Sequence, residues 1–260
     1  MTNNELLKNI FDISHHTVIV TGANGQLGIR ICKYLIELGA KVLAIDVCDE
    51  NLKKIKNKNL RLFKFDISNE NEVNDFYYSL QKNKIIPSGL INNAAVSFFS
   101  HFRNRSVEQL DNTYSVNLKG QILLIKEFFK SKKLTFYKKI INISSLYGIV
   151  SPNFSIYEKN DRRNSEIYGA TKAAMIQITK YFSTYCHESK ILVNGIAPGG
   201  ILDEDNPQAK PFQKRYSNLC PMKRLAKVDE MIGAIIYLLS ESSSYTNGHT
   251  IVIDGGYTSW

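Results

Sequence analysis

Apolar residues fall in short runs along this chain, and most runs are followed by a stretch with helical spacing. TVIVT (Thr17–Thr21) is a β-branched run that ends at glycines. Leu27, Ile31, Leu35 and Leu38 then recur at the interval of one helix face over residues 26–38, and Gly39 supplies the stop. The alternation continues with strands predicted at 41–46, 60–66, 89–95, 138–144, 191–198 and 249–256. Between them lie helices predicted from a Ser68 cap through Val73, Phe76 and Leu80, then over 107–132, 167–188 and 229–239.

Strands separated by helices of this length pair in parallel, because a parallel crossover needs a dozen or more residues. The strands are near-continuous apolar runs, as in a sheet covered on both faces. The prediction is a doubly wound α/β sheet in a single domain spanning 1–260, with no repeat, linker or low-complexity tract. Two stretches, 147–166 and 199–227, fall outside the alternation. Long irregular stretches in a compact domain tend to be functional.

Composition narrows the classes. With 43% hydrophobic and 22% charged residues the chain is globular. No apolar run approaches the ~18 residues of a membrane span. The first residues, with Glu5 and Asp12, do not read as a secretory leader, so a cytoplasmic protein is expected. The net charge of +9 reads as lysine on solvated faces, and no nucleic-acid module accompanies it. Cys32, Cys48, Cys186 and Cys220 form no CxxC pair, and the adjacent His15 and His16 lack further ligands nearby, so no metal is expected.

The chemistry collects at the turns that follow the strands. TGANGQLG (Thr21 to Gly28) joins the first strand to the first helix, and glycines at 22, 25 and 28 allow a tight turn and close approach of a pyrophosphate to the helix N-terminus. Asp46 ends the second strand, where a carboxylate accepts the ribose 2′-hydroxyl and repels a 2′-phosphate, which favours NAD over NADP. In YGATK, Tyr168 and Lys172 share one helix face. A neighbouring ammonium favours phenolate, and a lowered Tyr passes a proton to or from a carbonyl or alcohol oxygen. NISSLYG places Ser145 at the C-terminal end of the fifth strand. Asn117 lies in VNLKG, NNAA (Asn92 to Ala95) follows the fourth strand, and APGG (Ala197 to Gly200) follows the sixth.

This ordered set, with FDIS and IDGG, resembles the single-domain branch of the short-chain dehydrogenase/reductase family over nearly the whole chain. The resemblance implies a seven-stranded Rossmann fold and reversible hydride transfer between a nicotinamide and a carbonyl or alcohol. It implies Tyr168 as acid/base, Lys172 as its tuner and a ribose ligand, Ser145 as substrate orienter, and Asn117 as holder of a relay water. The implied cofactor contacts are Gly22, Asn24, Gly25, Gln26, Leu27, Gly28, Asp46, Asp66, Ile67, Asn93, Ala94, Ala95, Pro198, Gly199 and Ile201, together with Tyr168 and Lys172. A homodimer or homotetramer built through the long helices is also implied. Gln26 stands where this branch usually has its second loop glycine, LDED replaces the usual Thr after the PG turn, and the Ser-to-Tyr interval is long. Tyr157 sits where the acid/base would fall without that insertion, but no lysine follows it at the required spacing.

The insertion and the segment after PGGI are similar to bacterial flagellin-modification and nonulosonic-acid-pathway oxidoreductases, which points to a sugar or sugar phosphate in glycan biosynthesis. Arg103, Arg105, Arg162 and Arg163, with Lys210, Lys214 and Arg215, are candidates to hold an anionic group on that substrate, since a guanidinium fork suits phosphate and carboxylate. A small-ketone or 3-oxoacyl reductase is the alternative in the same class, and a non-catalytic dinucleotide-binding regulator the alternative outside it.

Overall fold

The computed structural model describes residues 10–157 and 164–260. Seven strands, β1 (Thr17–Thr21), β2 (Lys41–Asp46), β3 (Leu60–Lys64), β4 (Gly89–Asn92), β5 (Lys138–Ile143), β6 (Ile191–Pro198) and β7 (Thr250–Ile253), form one sheet in the order β3-β2-β1-β4-β5-β6-β7. Every pairing is parallel. The doubly wound sheet expected from the alternation is therefore what forms, with the strand order reversing direction between β1 and β4.

Side-chain alternation along the strands sorts the core into two layers. Val18, Val20, Val42, Ala44, Ile91 and Ile141 pack with helices α1 (Gln26–Glu37) and α7 (Ile232–Leu239). Ile19, Leu43, Ile45, Leu90, Ile140 and Val193 pack with α2 (Glu70–Lys82), α4 (Gln121–Lys130) and α5 (Glu166–Tyr185). All residues of β5 and β6 are buried, which explains their continuous apolar character.

Four helix boundaries differ from the sequence pattern, among them the end of the helix expected over 167–188, which stops at Tyr185 before a 3-10 turn at His187–Ser189. The helix expected over 107–132 is α3 (Val107–Tyr114), a π turn (Ser115–Gly120) and then α4. Asn69, not Ser68, caps α2, and its side chain accepts from the Asn71 amide. The last helix begins at Ile232 behind a 3-10 turn at Val228–Met231. The irregular stretch 199–227 also contains a helix, α6 (Lys210–Leu219). Its apolar residues Phe212, Tyr216 and Leu219 face a small separate cluster with Leu146, Ile156 and Tyr257, not the sheet.

The N-terminal edge of the sheet buries basic groups. Lys138 and Lys139, each 1% exposed, begin β5 and point to opposite faces. Lys138 Nζ donates to Phe128 O at 2.8 Å and Ser131 Oγ at 2.6 Å, closing the C-terminus of α4. Lys139 Nζ donates to Ser240 O at 3.2 Å, closing the C-terminus of α7. A cation at a helix C-terminus meets the negative end of the dipole. Burial still pushes the Lys138 ammonium down to about 8.

His16, at the foot of β1, is also 1% exposed, and its Nδ1 lies 3.0 Å from Ser88 Oγ. Burial, then His15 and Lys139, push it down to about 3. The folded protein thus refuses a proton that the unfolded chain accepts below about 6.5. Stability should fall by ~1.4 kcal/mol for each pH unit below 6.5 until the folded-state value is reached. Chemical denaturation of the protein and of His16→Asn between pH 7 and 4 should show a shallower acid loss in the variant. Parallel curves would refute a neutral buried imidazole.

Candidate active site

The turn after β1 is held from outside by its neighbours. Gly22 has φ +60°, and a Cβ there would lie 2.6 Å from Ala94 Cα. Thr21 Oγ1 accepts the Asn93 and Ala94 amides, both at 3.0 Å, and Asn93 Nδ2 donates back to Thr21 O and Gly22 O. A Cβ on Gly28 would run into the Gly22 carbonyl, whereas one on exposed Gly25 would meet only Gly22 O, at 3.4 Å. Two glycines therefore shape the turn, and Gly25 leaves open space in front of the α1 N-terminus. That is the cradle a pyrophosphate needs.

The other expected cofactor residues surround it unevenly. Asp46 accepts from the Asn24 amide at 2.9 Å and the Cys48 amide at 3.0 Å, one on each carboxylate oxygen. Each oxygen keeps a lone pair for a ribose hydroxyl. Asn24 spends its side-chain oxygen on the Asn51 and Leu52 amides. Leu27 packs into the core beneath the turn, and the Ile67 side chain is buried, 4% exposed. Asp66 accepts the Ser68 amide at 2.8 Å. Ala95 is exposed just past the end of β4. Pro198 ends β6, Gly199 packs on Asp254, and Ile201 bridges Ala226. Gln26 reaches across the cleft, and its Nε2 donates to Leu202 O at 2.6 Å.

Asn117 sits in the π turn, 1% exposed, and holds Val96 by both backbone groups: Val96 N donates to Oδ1 at 2.7 Å and Nδ2 donates to Val96 O at 2.9 Å. Nδ2 is also 3.3 Å from Thr171 Oγ1 on α5. Ser165, three residues before Tyr168, caps α5 and accepts the Tyr168 amide. Ser145 and Tyr168 share a side-chain hydrogen bond. Lys172 is 3% exposed; its Nζ donates to Ile143 O at 2.8 Å and lies 5.6 Å from the Tyr168 ring centre.

The electrostatics differ from the expected lowering of Tyr168 by Lys172. Burial raises the phenol above its ordinary value, and the Ser145 hydrogen bond works in the other direction. Burial likewise pushes Lys172 down to about 8. Both side chains are buried, and burial favours their neutral forms.

Ser145 and Tyr168 open into a cavity of about 510 Å³ at the C-terminal edge of the sheet. Ser97, Phe99, Tyr147, Tyr157, Asn164, Gln208, Phe212 and Tyr216 line it and were not among the predicted site residues. The segments that carry most of them, 147–166 and 199–227, were visible as irregular. Tyr157 is a wall residue, its hydroxyl 3.4 Å from that of Tyr147 and its ring against Phe212.

The described arginine candidates, Arg103, Arg105 and Arg215, do not line this cavity. Arg105 is a correction: its side chain is 3% exposed and committed to Phe98 O, Ser100 O, Ser100 Oγ and the Glu166 carboxylate, 3.3 Å away. It clamps the loop after β4 onto α5. Arg103 is exposed in a 3-10 turn and does not line the cavity. Arg215 donates from Nε to Ile156 O. Arg162 and Arg163 lie outside the described residues.

A family model described as enoyl-(acyl carrier protein) reductase matches residues 22–258, almost the whole chain. The protein belongs to the short-chain dehydrogenase/reductase family. Post-translational flagellin modification protein A of Campylobacter coli is 26% identical, covering 94% of this chain and 99% of the relative. L-xylulose reductase of Caenorhabditis elegans is 28% identical, covering 95% and 98%. The crystal structure of a short-chain dehydrogenase from Leptospira borgpetersenii with bound NAD+ superposes with a TM-score of 0.83 at 30% identity, covering 94% of this chain and 92% of that one. The chain is thus a nicotinamide-dependent oxidoreductase acting on CH–OH groups. Among the described residues of this short-chain dehydrogenase/reductase no helix is long and apolar enough to cross a membrane.

The two tyrosines make different predictions. Tyr168→Phe removes only the hydroxyl beside Ser145 and should lower turnover ~10²–10⁴-fold, the range for losing a general acid/base, while NADH still binds. Tyr157→Phe should leave turnover within about tenfold, since one wall hydrogen bond is worth ~1 kcal/mol. Steady-state rates with NADH fluorescence titrations on both variants decide, and the reverse ranking overturns the assignment.

Proposed function

We propose that this enzyme uses NAD(H) to oxidise or reduce a carbon of a sugar or sugar phosphate in surface-glycan or flagellin-glycan biosynthesis. The observation that carries the reading is the meeting of Ser145 and Tyr168 at one cavity, with buried Lys172 one helical turn beyond Tyr168, on the same sheet edge as the Gly25 cradle and Asp46. The name of the flagellin modification relative supports a place in flagellin modification, and that of the L-xylulose reductase relative supports a sugar. The aromatic walls Tyr147, Tyr157 and Phe212 support it too, since they suit the C–H faces of a sugar ring.

Gly22, Gly25 and Gly28 with the α1 N-terminus hold the pyrophosphate, Asp46 the adenosine ribose, and Asn93, Ala94 and Gly199 the rest of the cleft floor. When bound, the nicotinamide supplies or accepts the hydride and, oxidised, brings a positive charge that favours phenolate. Tyr168 moves the proton on the substrate oxygen, Ser145 orients that oxygen, and Asn117 holds the wall that carries Val96. Any anion handle on the substrate falls to Arg162, Arg163 and Arg103. A cytoplasmic location is part of this reading and is supported by four free thiols.

Assembly as a homodimer or homotetramer is the last part. Tyr181 and Tyr185 are 59% and 58% exposed on α5 and stacked on each other, and the Tyr185 ring lies tilted against Phe129 of α4. Such an aromatic surface suits a helix-to-helix interface. Tyr181→Glu with Tyr185→Glu should shift the light-scattering mass to that of one chain; an unchanged mass moves the interface elsewhere.

The function is tested by following NADH absorbance over free, phosphorylated and nucleotide-linked hexoses and pentoses. Turnover of a sugar is expected, with NAD favoured over NADP and the preference narrowed in Asp46→Ala. Equal kcat/KM for the two cofactors removes the role of Asp46. Turnover restricted to short ketones or acyl thioesters replaces the sugar reading.

A further inference from the structure

The lining of the catalytic cavity divides into polar groups that are engaged and two that are not. Gln26 donates to Leu202 O, Gln208 is tied to Ile201 O and the Asp203 amide, and Tyr216 OH accepts the Gly200 amide. Tyr147 and Tyr157 share a hydroxyl contact. Ser97 Oγ and Asn164 Oδ1 are both buried and have no hydrogen-bond partner. Buried polar atoms without partners are rare, because desolvation is not repaid. Of the buried side-chain atoms without partners among the described residues, these two lie on the wall of one cavity, beside Ser145 and Tyr168, where a ligand can complete them.

Their chemistry restricts that ligand. The amide oxygen of Asn164 only accepts, so it needs a hydroxyl or N–H. Ser97 both donates and accepts, and its backbone is fixed because Asn117 grips the preceding residue, Val96. No Lys or Arg lines this cavity among the described residues. We propose that Ser97 and Asn164 are the specificity-determining residues that bind hydroxyl groups flanking the reacting carbon, so that the part of the substrate entering the cavity is an uncharged polyol. This rests on the sugar reading above and deepens it.

The test compares wild type, Ser97→Ala and Asn164→Leu, with NAD, on ribitol, xylitol and sorbitol against 2-butanol, which has one hydroxyl. Wild type should prefer a polyol, and each variant should lose about tenfold in kcat/KM on it while keeping its 2-butanol rate. Thermal midpoints should be unchanged or raised, because an unpartnered polar atom has been removed. Equal losses on polyol and 2-butanol, or a fall in the midpoint, would show that the two side chains serve the fold and overturn the proposal while the sugar reading stands. Activity only on a phosphorylated sugar, with its parent inert, overturns the uncharged class. A wild-type preference for 2-butanol removes the sugar reading and this one with it.

Discussion

A parallel sheet imposes one constraint from which the rest of this molecule follows. Each strand must be re-entered from the same end, so each crossover helix runs back against the strands. The strand C-termini and helix N-termini therefore collect at one edge, and the helix C-termini at the other. At the first edge the Gly25 cradle, Asp46, Ser145 and the loop after Pro198 lie together although they are far apart in the chain. At the second, Lys138 and Lys139 meet the carbonyl ends of α4 and α7 from the two faces of a single strand.

The two edges treat buried lysine differently. Lys138 satisfies its ammonium with two oxygen acceptors and packs 4.1 Å over the Phe128 ring. Lys172 has one protein oxygen, Ile143 O, within the same kind of buried surroundings. An ammonium offers three donors. The lysine at the foot of the sheet closes a helix end, whereas the one at the head ties α5 to the last carbonyl of β5.

Most of the framework was legible in the chain because period and punctuation agree: β-branched runs, helical spacing, and Gly39 at a positive φ where α1 stops. The candidate site residues were legible by motif: Ser145 in NISS just past the end of β5, and Tyr168 with Lys172 in YGATK on α5. The cavity wall was not. Its residues come from α6 and from turns whose apolar side chains serve a local cluster with Leu146 and Ile156, so they show no sheet-facing periodicity. Arg105 illustrates the opposite error. An arginine near a site reads as a ligand handle from composition, yet four carbonyl, hydroxyl and carboxylate partners within its own neighbourhood consume its guanidinium. Local hydrogen-bond demand of that kind leaves no trace in spacing.

The π turn at Ser115–Gly120 makes one property of the site a matter of residue count. A π turn amounts to one residue inserted into an α-helix. A π turn spreads one more residue over the same rotation, so deleting a residue there would restore ordinary winding, keep the flanking turns in phase, and close up the widened backbone that carries Asn117. Gly120 could keep its close contact with Ile67, while Asn117 would shift away from Val96 and Thr171. Substitution scans, which change identity but never length, are blind to this dependence. The tolerance of this helix to single-residue deletion, in the laboratory or among descendants of this chain, is set by a winding number and not by any side chain.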